Sequence, residues 1–143
     1  MRVCSLAGSR ENDDVCRPMR ETNTALVGLG ADGVISVQIR TGAQQTLTDA
    51  KENLGAALEV RDGQRRPLLV DIRESLPLDA EARHYYSGQV LVDGFTALAM
   101  IIDASPFGRM MGNVYLRVAR PGIPTRLFTE PEPARAWLIA HRQ

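Results

Sequence analysis

The chain carries few side chains that could do covalent chemistry, and their spacing matches no familiar catalytic set. Its histidines are His84 and His141. A serine nucleophile needs a base beside it; Ser75 and Ser87 lie near His84 in the sequence, but no third group orients either pair. His141 falls in the last turn of the last predicted helix, where a cationic side chain is favourable against the helix dipole. These residues therefore predict no catalytic triad.

A glycine-rich stretch at residues 28–33 reads Gly-Leu-Gly-Ala-Asp-Gly and matches the bare pattern of a dinucleotide-binding loop. Dinucleotide binding requires a helix after the glycines, because the phosphate binds at the helix N-terminus. Here a run typical of a strand follows instead, and Asp32-Gly33 is a strong hairpin signal. The glycines therefore predict a turn, and no cofactor is expected.

Four polar residues follow two neighbouring predicted strands. Asp71 and Arg73 end one strand, and Asp103 and Ser105 follow the next. In open α/β sheets, ligands bind beyond the carboxyl ends of the strands, so the four residues could form a small polar cleft, a partner-docking edge or, least favoured, an enzyme site. The simpler alternative, which the sequence favours, is a local ion pair and a helix cap.

A polar, basic stripe is predicted on the third helix. Its members recur at steps of three and four residues, as one helix face requires: Arg109, Asn113, Arg117 and Arg120. The charge distribution agrees, since residues 104–143 hold six arginines and two glutamates. Such a stripe is either a solvated helix face or a docking surface for an acidic protein or an anionic ligand. Nucleic acid is not expected, because few aromatic residues lie among these arginines.

A set of apolar residues predicts a function other than protein docking. Methionine-rich cores can adapt around an apolar ligand, so the chain could carry a small apolar molecule or lipid. The pocket would be lined by Phe95, Met100, Phe107, Met110, Met111 and Tyr115.

Composition excludes several classes of protein. The chain has 143 residues, is 44% hydrophobic and has zero formal net charge, which argues against a dedicated nucleic-acid binder. No apolar run approaches the roughly 18 residues of a membrane span. Two cysteines (Cys4 and Cys16) and two histidines leave little for a metal site, and no metal is expected. Residues 1–22 lack the apolar stretch of a signal peptide, so we expect a cytoplasmic protein with a loosely ordered tail and one domain over residues 23–143.

Hydrophobic periodicity predicts the element order ββαβαβαβα, an α/β domain whose mostly parallel sheet has about five strands and four covering helices. The first strand would pair antiparallel with the second, and the later strands would follow right-handed crossovers. The predicted elements are a hairpin over residues 25–40, a helix over 46–62 capped by Thr46 or Thr48, a strand over 68–73, a helix from Asp79 to Gly88, a strand over 95–102, a helix opened by Ser105, a strand over 125–128, and a last helix introduced by a capping box at 129–132.

Two stretches carry a family resemblance. Residues 68–79, LLVDIRESLPLD, resemble the central strand and following loop of STAS domains, in which one Asp ends the strand and another precedes the next helix, as Asp71 and Asp79 do here. The C-terminal part is similar to the SpoIIAA-like group of small bacterial proteins, which share the patterns R-x-x-G-N, P-T-[KR]-L-F and A-x-x-W-L. These patterns occur at residues 109–113, 124–128 and 134–138.

The resemblance implies a STAS-like fold and a non-catalytic role in regulation or protein interaction, with a possible homodimer. In STAS domains the hydroxyl after the second Asp is phosphorylated, and the added charge at a helix N-terminus switches partner binding. Here Ala80 and Glu81 follow Asp79, so the phosphate acceptor is missing and Glu81 would supply a permanent negative charge. The expected partner-binding residues are Asp71, Arg73, Asp79, Glu81, Arg109, Asn113 and Arg117.

Overall fold

A computed structural model describes residues 19–76, 79–86, 88–106, 108–110, 113 and 122–141. Several sequence expectations concern residues outside this set: the tail up to residue 18 with Cys4 and Cys16, most of the third helix with Arg117 and Arg120, and three members of the apolar set, Phe107, Met111 and Tyr115.

The described residues form an α/β fold around a six-stranded sheet whose strands lie side by side in chain order. The first three strands are antiparallel neighbours, and the remaining pairs are parallel. The strands are β1 (Met19–Glu21), β2 (Ala25–Leu29), β3 (Ile35–Ile39), β4 (Arg66–Asp71), β5 (Phe95–Ile101) and β6 (Thr125–Phe128).

Helices cover both faces of this sheet. Their bounds are α1 (Leu47–Val60), α2 (Ala80–Tyr85), α3 (Gln89–Gly94) and α4 (Pro131–Ala140). Residues 106, 108–110 and 113 are also helical. From β4 onward, each strand is added to the same edge of the growing sheet. Right-handed crossovers therefore place α1 and α3 on one face of the sheet. Helix α4, which follows β6, packs on the opposite face.

Two separate cores result. The α1 core joins α1 and α3 to one face of the sheet through Leu54, Leu91 and Phe95, all at most 2% exposed. The α4 core joins α4 to the opposite face, and Ala134 and Leu138 are fully buried there. Strand β5 lies between the two cores, and all seven of its residues are buried. A strand covered on both faces reads as a continuous apolar run, and residues 95–101 do.

The predicted hairpin is confirmed. Strands β2 and β3 pair antiparallel from Ala25–Ile39 to Leu29–Ile35. The turn closes through the Gly30 N–H, which donates to the Val34 carbonyl at 2.9 Å, and Gly33 has a φ of +84°, a conformation that glycine adopts at little cost. The glycine-rich stretch therefore leads into a strand.

Strand β1 corrects the predicted boundary of the tail. Residues 19–21 fall inside the segment expected to be loosely ordered, yet they pair with β2 in register Met19–Gly28 to Glu21–Leu26. The strand is too short and too polar to show a period-two pattern. Pairing with β2 and the ion pair of Arg20 with Glu59 on α1 (2.7 Å) hold it in place.

Two helix predictions are also corrected. The helix expected from Asp79 to Gly88 forms with Asp79 as its N-cap but ends at Tyr85, and a helix that the sequence did not predict, α3, follows with Gly88 as its N-cap. The capping box predicted at residues 129–132 does not form, and α4 begins one residue later with Glu130 as its N-cap. Pro131 is the reason, because the residue before a proline is restricted to extended backbone, as Glu130 is.

Candidate functional site

The polar residues predicted at the strand ends do meet along one edge of the sheet. Strands β3 to β6 run parallel, so their carboxyl ends all lie at this edge. Asp71 is the last residue of β4, and Asp103 follows β5 by two residues. Strand β6 leads into Glu130, the N-cap of α4. The parallel half of the sheet thus gathers side chains from three different connections.

Asp71 and Arg73 form a two-pronged ion pair at the centre of this edge. Arg73 Nε donates to Asp71 Oδ1 at 3.0 Å, and the terminal nitrogen donates to Oδ2 at 2.7 Å. The Arg73 backbone N–H also donates to Oδ1, at 3.1 Å. These hydrogen bonds, together with the negative charges of Asp71, Glu130 and Asp103, raise the pKa of Arg73. The guanidinium is therefore held in one orientation among three carboxylates.

Two open grooves lie along this edge. One has a volume of about 310 Å³ and is lined by Thr41, Asp71, Arg73, Glu74 and Asp103, among others. The other, of about 410 Å³, lies beyond β5 and β6 and contains Arg109, Asn113 and Glu130. We call the charged side chains of both grooves, together with Asn113, the carboxyl-edge surface: Asp71, Arg73, Glu74, Asp103, Arg109, Asn113 and Glu130.

Ser105 caps the helical turn that follows β5. Its hydroxyl accepts a hydrogen bond from the Gly108 N–H at 3.1 Å, and the Arg109 N–H donates to the Ser105 carbonyl. Gly108 comes so close to Asp103 that a Cβ would lie 2.6 Å from the Asp103 carbonyl oxygen. The ion pair and the helix cap that the sequence allowed are thus both formed, and Ser105 lies outside the groove that holds Asp103.

Asp79 and Glu81 begin α2 and do not line either groove. Asp79 Oδ1 accepts from the Ala82 N–H at 2.8 Å, which makes it the N-cap of the helix. Glu81 is exposed in the first turn, where a negative charge is favourable. Of the expected partner-binding residues, Asp71 and Arg73 line one groove, Arg109 and Asn113 line the other, and the two α2 residues line neither.

The two histidines lie on opposite sides of the sheet. His84 is on α2, whose neighbours Tyr85 and Tyr86 pack against the α1 core. His141 caps the end of α4 and stacks on Trp137 with ring centroids 4.4 Å apart. A common site for the two imidazoles is therefore ruled out by the fold.

Three residues of the predicted apolar pocket can be placed: Phe95 and Met100 belong to the α1 core, and Met110 lies on the helical segment after β5. Met100 lines an internal cavity of about 30 Å³ in the α1 core. Phe95 is fully buried, and Met110 is 52% exposed. Ligand pockets usually span several hundred cubic ångströms, so this cavity is too small for a lipid.

A buried polar cluster at the mouth of that cavity was missed by sequence reasoning. Asn53 of α1 is at its centre: its Oδ1 accepts from Thr22 at 2.5 Å, and its Nδ2 donates to Thr24 and Gln45 at 2.9 Å. The Tyr86 hydroxyl also donates to Gln45. Burial raises the pKa of Tyr86 well above its usual value, so it stays a neutral donor. The partners come from three segments, namely the turn between β1 and β2, the loop before α1 and the end of α2. The available signal in the sequence was an Asn at a core position of α1.

Two features are absent from the described residues. They contain no group of three or more His, Cys, Asp or Glu side chains placed to hold a metal ion. None of their helices combines the length and the apolarity that crossing a bilayer requires.

Comparison with known proteins assigns a family. Neither the curated proteins nor the solved structures include a significant match. Residues 29–142, from the last residue of β2 to beyond the end of α4, match a family described as a domain of unknown function, DUF7793. Because this match spans most of the chain, the protein belongs to the DUF7793 family.

Proposed function

We propose that this protein is a non-catalytic, STAS-like interaction module that binds a protein partner along the carboxyl-edge surface. The observation that carries the proposal is the Asp71–Arg73 pair, which lines one of two open grooves whose charged side chains come from separate connections. Charged groups fixed in this way favour recognition of a complementary charged surface.

The bonding of the edge residues supports docking over catalysis. Arg73 is occupied by Asp71, and Ser105 acts as a helix cap. A nucleophile would need a base within hydrogen-bond reach, and neither histidine lines the two grooves. The described side chains are therefore arranged to present charge.

The sign of the charge indicates the kind of partner. The carboxyl-edge surface has four acidic side chains (Asp71, Glu74, Asp103 and Glu130) and two arginines (Arg73 and Arg109). Potentials across an interface are usually complementary, so the partner should present basic groups. In STAS domains, phosphorylation adds a negative charge at the start of this helix and switches partner binding. In this protein Glu81 would supply a constant negative charge at the start of α2, so phosphorylation would not control binding at that position.

A charge reversal tests this proposal. Asp103 is exposed at the edge, and Asp93 is exposed on α3 at the opposite end of β5. We expect Asp103→Lys to lower partner capture from a lysate of the source cells by about tenfold, measured by quantitative mass spectrometry. The matched control, Asp93→Lys, should leave capture unchanged, and higher salt should weaken capture by the wild type.

Equal capture by all three proteins would contradict the proposal, as would a partner lost equally with Asp103→Lys and Asp93→Lys. Thermal melting of each variant shows that a lost partner does not reflect a lost fold.

A further inference from the structure

The loop that follows β4, residues 72–76 (the β4 loop), contains a turn with an unusual residue in it. The Ser75 N–H donates to the Ile72 carbonyl at 3.2 Å, so Arg73 and Glu74 are the two central residues of the turn. Glu74 has a φ of +69°, whereas the φ of Arg73 is not positive. This combination is that of a type II turn, whose second central position needs a left-handed backbone and is normally glycine. A glutamate at that position costs conformational energy that a glycine would not.

The loop before α1 holds Glu74 in this conformation. The Gly42 N–H donates to the Glu74 carbonyl at 2.7 Å, and the Leu76 N–H donates to the Ala43 carbonyl at 2.9 Å. The side chain is fixed as well, since the Thr41 hydroxyl donates to Glu74 Oε1 at 2.9 Å. The β4 loop is therefore ordered before any partner binds, which removes part of the entropic cost of binding.

The Glu74 side chain lines the groove of about 310 Å³ at the carboxyl edge. Asp71, Arg73 and Asp103 line the same groove, and the Asp71–Arg73 ion pair is neutral as a unit. Glu74 and Asp103 take part in none of the ion pairs among the described residues. The groove is therefore acidic, and a side chain that enters it should be cationic.

The β4 loop also presents an apolar side chain. Leu76 is 47% exposed, and the other large apolar side chains that are exposed among the described residues are Leu26 and Met110. The Leu76 backbone is fixed by its hydrogen bond to Ala43. Interfaces commonly place an apolar anchor within a polar, charged rim. The β4 loop thus offers one acidic and one apolar side chain at a fixed separation.

We propose that the β4 loop is the recognition element of the carboxyl-edge surface, and that it binds a partner segment in which a lysine or arginine lies next to a large apolar residue. The basic side chain enters the groove beside Glu74 and Asp103, and the apolar side chain packs on Leu76. This inference rests on the proposed function and adds to it the residues that select the partner. It also accounts for the glutamate at position 74: a glycine would relax the turn but remove the carboxylate, and strained residues are retained where function needs them.

Peptide selection tests this recognition element. The probe is a phage-displayed library of random linear peptides, applied to the immobilised full chain. The selected peptides are then synthesised, and their dissociation constants are measured by fluorescence anisotropy. We expect the selected sequences to be enriched in adjacent basic and large apolar residues. Glu74→Gly and Leu76→Ser should each raise the dissociation constant by about tenfold, and Glu74→Gly should melt no lower than the wild type because glycine relaxes the turn.

Two matched controls have the same local features at other places. Asp62 has a φ of +60° in the turn after α1, at the opposite edge of the sheet, and Leu26 is 42% exposed on β2. Asp62→Gly and Leu26→Ser should bind the selected peptides as the wild type does. The proposal is overturned by a library that yields no binding peptide, by peptides that lack the basic and apolar pair, or by equal binding of Glu74→Gly, Leu76→Ser and the two controls.

Asp103→Lys separates this proposal from the proposed function. Peptide binding that is lost with Asp103→Lys but kept with Glu74→Gly and Leu76→Ser overturns recognition by the β4 loop and leaves the carboxyl-edge surface as the docking site. Peptide binding that all three variants keep overturns both proposals.

Discussion

At the scale of single residues, Asn53 is the most deeply buried polar residue among those described. It is 1% exposed and joins the turn before β2, the loop before α1 and α1 itself through Thr22, Thr24 and Gln45. A buried polar group costs little when it is paired and much when its partner is removed. The cluster therefore fixes the loops beside the carboxyl edge in one arrangement.

Removing the centre of this cluster should be costly. Asn53→Leu removes buried hydrogen bonds to three partners, Thr22, Thr24 and Gln45, so we expect the free energy of unfolding to fall by about 3 kcal/mol in urea denaturation. Tyr86→Phe removes one hydroxyl and should cost about 1 kcal/mol. Equal costs for the two variants would show that Asn53 does not organise the cluster.

Two glycines should respond to alanine in opposite directions. At Gly108 a Cβ would lie 2.6 Å from a backbone oxygen of Asp103, so the turn must shift and Gly108→Ala should destabilise the protein. At Gly55, inside α1, a Cβ meets nothing within 4 Å, and Gly55→Ala should stabilise it by about 0.5–1 kcal/mol. Thermal melting compares the two, and a stabilising Gly108→Ala would contradict the close contact.

At the scale of elements, the sequence predicted those with a clear period and missed those held by distant contacts. Strands β2 and β6 have the predicted bounds, and α1 agrees within two residues, because their apolar spacing or turn chemistry is local. Strand β1 depends on β2, and the boundary between α2 and α3 depends on packing against the α1 core. At the candidate site, the order of the strands was enough to predict that Asp71, Arg73 and Asp103 lie at the same edge of the sheet. The shape of the two grooves depends on loop geometry, which no local sequence pattern encodes.

Two threonines near the start of α1 were candidates for its N-cap. The sequence allowed either Thr46 or Thr48 as the cap, and Thr46 accepts from the Asp49 N–H in a capping box. We expect Thr46→Ala to lower the free energy of unfolding by about 1 kcal/mol. Thr48→Ala, within the first turn, should be close to neutral. The reverse order in denaturant titrations would contradict the assigned cap.

The same capping box predicts a dependence on pH. The hydrogen bond from the Thr46 backbone N–H lowers the pKa of Asp49 below its ordinary 3.8, against the opposing effect of burial. Well above pH 3.8 the carboxylate is ionised in both states and its contribution is complete. As the pH falls below that value, the unfolded chain binds the proton first, so stability is lost until the native carboxyl also protonates. The stability difference between wild type and Asp49→Asn should therefore shrink in acid; a constant difference would contradict this.

At the scale of the whole molecule, the carboxyl-edge surface and the two cores share the parallel strands. Asp71 is the last residue of β4, and Leu68 and Leu69 of the same strand belong to the α1 core and the α4 core. The edge therefore keeps its arrangement only while both cores are intact.

One sheet divides the interior, yet the two cores should unfold together. Strand β5 contributes Leu98 to the α1 core and Ala99 to the α4 core, so neither core can be lost without exposing the other face of the same strand. Leu54→Ala and Leu138→Ala each empty a fully or nearly fully buried site on opposite faces, and each should cost about 3 kcal/mol. In urea denaturation at one protein concentration, both variants should lower the midpoint of a single transition without changing its slope. Two separate transitions in either variant would mean that α4 and its core fold independently of the rest.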